Sequence, residues 1–223
     1  MPESLSRSLA EYGPFFTVSL HTASPHTASP HTVSPHTGPP LGRWRPLAEL
    51  AGAPELAEWV GRVRAGLGCD RRVAASVAHL GLAARLLSPV LAAAVRHRLL
   101  LDLAACYWQP PLSSTVALSV AEPTGGISAE ALAHAVAAGP VADLTAAFGR
   151  LGSVSGRVLA GNLASAVNGA ALQLGPQSWP VAAVLLAGVP GEDGRPGPDF
   201  RRRSCCLRYR VAGAGYCGDC VLG

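Results

Sequence analysis

Four of the six cysteines fall within sixteen residues near the end of the chain. Cys205 and Cys206 are adjacent, ten residues follow, then comes Cys217, two more, and Cys220. Four thiolates are the full donor set of a tetrahedral zinc site or of an iron–sulfur cluster, and either one obliges the segment to wrap around a single centre. The turn Cys217-Gly-Asp-Cys220 suits both, because a two-residue gap lets both sulfurs face one point and Gly218 keeps the turn free of a side chain. The adjacent pair is harder to satisfy. Successive side chains of an extended strand point to opposite faces, so Cys205 and Cys206 can share a centre only if the backbone bends beside them. A two-iron cluster is larger than one ion and accepts that divergence more easily.

Charge gathers in the same place. The chain of 223 residues has no lysine; its 18 basic residues are all arginines, against 14 acids. Residues 201–223 hold five arginines and one aspartate, whereas the other 200 residues carry 13 of each sign. The whole surplus of +4 therefore sits on the cysteine segment. Arg201, Arg202, Arg203, Arg208 and Arg210 flank the thiols. A four-thiolate cluster of two ferric ions and two sulfides is formally dianionic, and one electron makes it trianionic. Nearby cations stabilise the reduced form, lower thiol pKa values and attract anionic partners. A bland reading stands beside this one: a solvated basic strand next to a structural site. The glycines 213, 215 and 218 spell a dinucleotide fingerprint, but no helix can follow in the five residues that remain, so nucleotide binding is not expected. They are better read as room for backbone N–H groups to approach sulfur.

The rest of the chain reads mainly helical, with a short strand element: mainly α, or α+β at most. Leu47, Leu50, Leu56, Trp59, Val60 and Val63 keep helical spacing, and Pro54 suits a first turn. A second helix is expected over residues 71–86, and Ser88-Pro89 is expected to break or kink the chain before a third helix runs toward Ala105. Val116, Leu118 and Val120 alternate, so residues 114–120 predict a strand. Ser128 can cap a helix through Ala138. Gly139-Pro140 separates it from another that ends near Gly149. A further helix is expected over residues 155–174, and a last one from Ser178-Trp179-Pro180 to Gly188. Residues 189–198 are a loop that separates the body from the cysteine segment.

With 49% hydrophobic residues, a wholly disordered chain is excluded. Residues 21–40, however, repeat HTASP with His21, His26, His31 and His36 at the head of each unit. Proline at every fifth position forbids a helix interior or a central strand, so this stretch is expected to be a disordered surface loop. Nothing in the pattern holds its imidazoles on a metal, although four histidines could bind one loosely. The longest apolar region, residues 86–108, is interrupted by Arg96, His97, Arg98 and Asp102, so no transmembrane segment is expected. The opening MPESLSRSLAEYGPFF shows no basic region followed by a long apolar run, hence no secretory signal. These features predict a cytoplasmic chain whose cysteines bind metal, do catalysis or pack as small hydrophobes rather than form disulfides. Peripheral membrane contact stays open. The basic patch is too short and too poor in aromatics for nucleic acid.

The segment RRRSCCLRYRVAGAGYCGDC resembles the C-terminal domain of the FhuF-like ferric siderophore reductases. GPFF at 13–16, AASVAHLGLAARLLSPVLA at 74–92 and GRVLAGNLASAV at 156–167 also look like that family, with the HTASP repeat as an insertion. The resemblance implies an N-terminal segment (1–20), the repeat (21–40), a helical body (41–189) and a C-terminal [2Fe–2S] domain (199–223). It implies a [2Fe–2S] cluster held by Cys205, Cys206, Cys217 and Cys220. It also implies one-electron reduction of Fe(III) in an imported, hydroxamate-type siderophore. Hard siderophore oxygens suit Fe(III) better than Fe(II), so an added electron loosens the chelate. No flavin or nicotinamide motif is present, so the electron donor would be a separate ferredoxin or reductase.

Other readings remain beside the reductase: a zinc-binding structural or interaction module, and a cluster-bearing electron carrier or iron sensor. Arg85, alone on an apolar helix, either contacts the chelate or the cluster domain or merely pairs a helix end. Gly161-Asn162, inside a helix, either lets the cysteine segment pack closely with Asn162 on its backbone, or serves helix–helix packing. His79, His97 and His134 read as packed or surface residues, and Cys69 and Cys106 as inert thiols.

Overall fold

The structure is a computed structural model and describes residues 2–21, 43–123, 125–192 and 194–223. The HTASP repeat beyond His21 lies outside the described residues, and with it the expectation of a disordered, metal-free loop. Helix α1 (Pro2–Ala10) leads into strand β1 (Ser19–His21). After the repeat come β2 (Arg45–Pro46), a 3-10 turn and α2 (Pro54–Leu67).

Helix α3 (Arg71–His97) is the core of the fold. Asp70 starts it by accepting the Val73 N–H at 2.8 Å, and Arg98 ends it in a left-handed turn (φ 56). Of the break or kink expected at Ser88-Pro89, no break occurs, nor does a helix continue to Ala105: Pro89 lies inside one continuous helix. A proline there removes one hydrogen bond and costs about 3 kcal/mol. Leu86, Leu87, Val90 and Leu91 around it are all essentially solvent-free, and burying each contributes about 1.5–3 kcal/mol. Burial therefore outweighs the local defect. By length and composition α3 could cross a membrane, as sequence reading did not anticipate; but 78% of its apolar stretch is buried among the neighbouring helices. The stretch Ala129–Gly152 passes the same test only as two helices in tandem.

The remaining helices fall where caps predict them. Ser128 accepts the Ala131 N–H at 3.1 Å at the start of α4 (Ala129–Ala137). Extended Ala138 separates it from α5 (Gly139–Gly152), with Pro140 in the first turn. Ser155 caps α6 (Gly156–Leu174), and α7 (Trp179–Ala187) ends at Gly188. Gly188 leaves no room for a side chain: a Cβ would lie 2.4 Å from the Ala133 carbonyl oxygen of α4. Helix α3 packs most extensively on α6, then on α2 and α5.

The predicted strand exists as β4 (Ala117–Ala121), but it is one of four, in the order β1-β4-β3-β2. Strand β3 (Cys106–Gln109) runs antiparallel to β4 with Trp108 opposite Leu118, and β1 runs parallel to β4 with Leu20 opposite Val120. Strands of two to four residues are too short to show alternation, so β1, β2 and β3 escaped the sequence pattern. His21, the first residue of the repeat, closes β1 with its Nδ1 2.8 Å from Ser119 Oγ.

Candidate metal centre

The segment from Phe200 onward contains only a 3-10 turn (Arg208–Arg210), and side chains hold it to α3 and α6. Ser204 Oγ donates to the Arg157 carbonyl at 2.7 Å. A Cβ on Gly161 would stand 2.2 Å from that same Oγ, so the segment can lie on α6 only because residue 161 is glycine. Of the two readings of Gly161, close approach of the cysteine segment is the one realised, but Asn162 bonds the Arg202 side chain and the Ser76 carbonyl rather than the segment's backbone. Arg157 Nη2 donates to the Arg203 carbonyl at 3.2 Å, and the buried Glu192 carboxylate accepts the Arg203 N–H at 3.4 Å. From α3, Ser76 Oγ donates to the Cys206 carbonyl at 2.8 Å. The Arg202 N–H meets the Asp219 carbonyl at 3.2 Å and ties the two cysteine pairs together.

The bend required beside Cys205 and Cys206 is present. Leu207 takes a left-handed conformation (φ 68, ψ 1), unusual for a residue with a side chain. Its N–H turns back to Cys205 Sγ at 3.3 Å, and the Leu222 N–H approaches Cys220 Sγ at 3.4 Å. The N–H groups on sulfur thus come from Leu207 and Leu222 rather than from the glycines. Cys206 and Cys217 sulfurs are 3.6 Å apart, and Cys220 interacts with both Cys205 and Cys217. Cys206 and Cys220 are buried; Cys205 and Cys217 are partly exposed. Burial pushes the Cys217 thiol up to about 12 against the opposing pull of Arg202, and burial also raises Cys205. Cys220 goes the other way: burial would raise it, but the Leu222 N–H and the neighbouring thiols outweigh that.

Arg202 is the centre of this arrangement, with 1% of its surface exposed. Its Nη2 donates to Cys217 Sγ at 2.9 Å and to Asp219 Oδ1 at 2.6 Å, and its Nη1 donates to Asn162 Oδ1 at 3.3 Å. Burial works against its charge, but Cys206, Asp219 and Cys217 hold its pKa above the ordinary value. Asn162, wholly buried, donates through Nδ2 to the Ser76 carbonyl at 3.0 Å and approaches His79 Nδ1 at 3.4 Å. His79 in turn meets Thr145 Oγ1 at 3.1 Å, and Thr145 donates to the Val141 carbonyl. Because Thr145 spends its proton on Val141, His79 donates from Nε2 and accepts at Nδ1. Burial lowers its pKa to about 3, which keeps the ring neutral.

Of the other expected site residues, Arg201, Arg203, Arg208 and Arg210 are exposed on the segment, and Arg210 pairs with Asp70 at 3.3 Å. Arg85 does not join them. It is buried, donating from Nε to the Val116 carbonyl at 2.9 Å and from Nη1 to the Phe15 carbonyl at 3.3 Å, so it ties the N-terminal segment to the sheet approach and presents almost no surface for docking. Burial lowers its pKa to about 10. Cys106 is buried with its thiol pushed up to about 12, and Cys69 is half-buried and raised, which suits inert thiols. Sequence reading missed Ser76, Glu192, Ser204 and Asp219; only the GN step at 161–162 signalled that α6 receives the segment.

The donor set fits an iron–sulfur cluster. A sulfur separation of 3.6 Å is close to the ~3.8 Å expected for two thiolates on one tetrahedral metal about 2.3 Å from each. Yet among the described residues no three His, Cys, Asp or Glu side chains surround a single ion position. The thiol contacts run as a chain from Cys205 through Cys220 and Cys217 to Cys206, a spread of donors that suits two bridged irons. Arg202 Nε is buried with no partner among the described residues, a spare N–H on the guanidinium that contacts Cys217, which an anionic cluster would engage. The class defined is a helical protein with a four-cysteine iron–sulfur segment. Residues 202–222, a short part of the chain, match the family model of the FhuF 2Fe-2S C-terminal domain, and together with the four cysteines this match supports a [2Fe–2S] cofactor. No curated protein matches the chain.

Proposed function

We propose that the protein is a ferric siderophore reductase, acting on Fe(III) held in an imported, hydroxamate-type chelate in the cytoplasm, with its cluster held by Cys205, Cys206, Cys217 and Cys220. When bound, the cluster supplies reversible one-electron transfer. The observation that carries the reading is the four-thiol set in a matched FhuF-type domain, bent at Leu207 and anchored by Ser76 and Ser204. Helices α3 and α6 fix the cysteine backbone, and the N–H groups of Leu207 and Leu222 stabilise thiolate at Cys205 and Cys220.

Two surfaces beside the cluster supply the docking that electron transfer needs. Tyr209, Tyr216, Val221 and Leu222 are 45–58% exposed, and the two tyrosine rings lie 6.1 Å apart. Exposed Arg201, Arg203 and Arg208 share that segment. Aromatic and apolar anchors within an arginine rim suit a protein partner with an acidic face, and an acidic ferredoxin-type donor is the partner we assign. A cavity of about 790 Å³ lies at the start of α3, with Arg71, Arg72 and Arg150 in its wall. Asp70, the partner of Arg210, also lines it, and the cavity's size and arginine donors for hydroxamate oxygens suit an iron chelate.

The test is direct. Anaerobically reconstituted protein should be red-brown, bleach on one-electron reduction, and release Fe(II) to a ferrous trap when mixed with a ferrioxamine-type chelate. Colourless protein with one zinc per chain defeats the reading in favour of a structural module. Reduced, iron–sulfur-loaded protein that yields no Fe(II) reduces it to an electron carrier or sensor.

A further inference from the structure

Sequence alone treats the five arginines around the cysteines as equivalent, but the fold separates them. Four are exposed, and only Arg202 is enclosed. Exposed charges are screened by water and by salt, with a Debye length of about 10 Å at 0.1 M. An enclosed guanidinium in hydrogen-bond contact with a sulfur is not.

We propose that Arg202 is the positioning residue that sets the reduction potential of the centre, donating to Cys217 Sγ while Asn162 and Asp219 hold it in place. The proposal rests on the ligand assignment above. Its physical basis is directional. The Ser76 carbonyl can only accept, so it fixes the Asn162 amide with Nδ2 toward Ser76 and Oδ1 toward Arg202 Nη1. His79 Nδ1, the acceptor on the same side, reinforces that orientation. Asp219 takes the other edge of Nη2. The fork is thereby locked with Nη2 on Cys217 and the unpaired Nε–H left over within the site. A buried, unpaired N–H is unfavourable, and less so as negative charge builds up next to it. Reduction adds one electron to the cluster without making or breaking a bond at Arg202, so a fixed positive donor stabilises the reduced side of the couple and raises its potential. Asp219, the carboxylate in direct contact with this guanidinium among the described residues, works in the opposite sense.

The test is a redox titration of the reconstituted full chain, followed by electron paramagnetic resonance, with iron and sulfide counted for every variant. Arg202→Gln should lower the midpoint so that the reduced-to-oxidised ratio at fixed potential falls at least tenfold, about 59 mV for one electron. Arg202→Lys keeps the charge, loses the fork and should fall between. Asp219→Asn should raise the midpoint. Arg208→Gln, equal in charge but exposed, should change the ratio less than about twofold. Arg202→Gln with full iron and sulfide at an unchanged midpoint overturns the proposal, as does a fall in Asp219→Asn. Should Arg202→Gln lose its cluster, Arg202→Lys decides: with full iron and sulfide, a midpoint below that of the parent chain supports the proposal and an unchanged one overturns it. A wild-type chain that binds neither iron nor sulfide sinks the ligand assignment instead, and this inference with it.

Discussion

Gly161 illustrates how a single hydrogen controls the site. The extra methyl of Gly161→Ala meets Ser204 Oγ at 2.2 Å, an overlap that shifts the cysteine segment off α6 and costs about 1–3 kcal/mol. The Ser204 Cβ stands at 3.5 Å, an ordinary contact. Gly161→Ala should therefore lower the denaturation midpoint and weaken iron retention, while Gly161→Ala with Ser204→Ala should recover most of both. A double-mutant cycle checks this, and simple additivity would contradict it. The cysteines give a cleaner loss: serine at 205, 206, 217 or 220 should abolish stoichiometric iron and sulfide, as chemical analysis would report. His79 adds a dependence on pH. Its pKa is lowered from 6.5 to about 3, so between those values the unfolded chain binds a proton that the folded chain refuses. Its contribution is fully present above pH 6.5 and falls as pH drops toward 3, by about 1.36 kcal/mol per pH unit. Denaturant titrations across that window should show a shallower slope in His79→Gln than in wild type.

Among the elements, α3 and α6 do double duty. Each buries an apolar face in the core and sends polar side chains to one place: Ser76 and His79 from α3, Asn162 and the Arg157 carbonyl from α6. Those positions are separated by more than eighty residues in sequence and meet because the two helices pack together. Thr145 of α5 closes the chain of bonds behind His79. The short strands serve a different end. Buried Arg85 donates to backbone at Phe15 and Val116, fixing both approaches to the β1–β4 pair. Arg85→Met, which keeps bulk but leaves two carbonyls unpaired, should destabilise the fold by about 1–3 kcal/mol while leaving the cluster spectrum of the folded protein unchanged.

For the whole molecule, the distribution of charge matters more than its sum. A body of balanced charge carries a segment with the full +4 surplus. Electron transfer from a reduced acidic ferredoxin should therefore slow as ionic strength rises, and Arg201→Glu with Arg208→Glu should slow it further and flatten that dependence in stopped-flow measurements. Arg71→Glu or Arg150→Glu, which removes from the cavity wall a donor to the chelate's hydroxamate oxygens, should raise KM for the ferric chelate with little change in electron delivery from the donor. Rates insensitive to salt and to charge reversal would remove the acidic donor from the account.

Local chemistry made much of this legible. The cysteine spacing, the caps at Ser128 and Ser155, the breaks at Gly139-Pro140 and Gly188, and the need for a bend beside Cys206 are properties of a few neighbouring residues, and sequence carries them. Pro89 misled because the burial that keeps α3 whole comes from other helices. Strands of two to four residues stayed hidden because their partners lie up to a hundred positions away. Tertiary structure alone decided that Arg202 turns inward onto Cys217 while its neighbours face water, and that Arg85 serves backbone instead of a ligand. Which way an arginine points depends on which distant carbonyls, amides and carboxylates need its hydrogens, and only the packed helices bring those groups within reach.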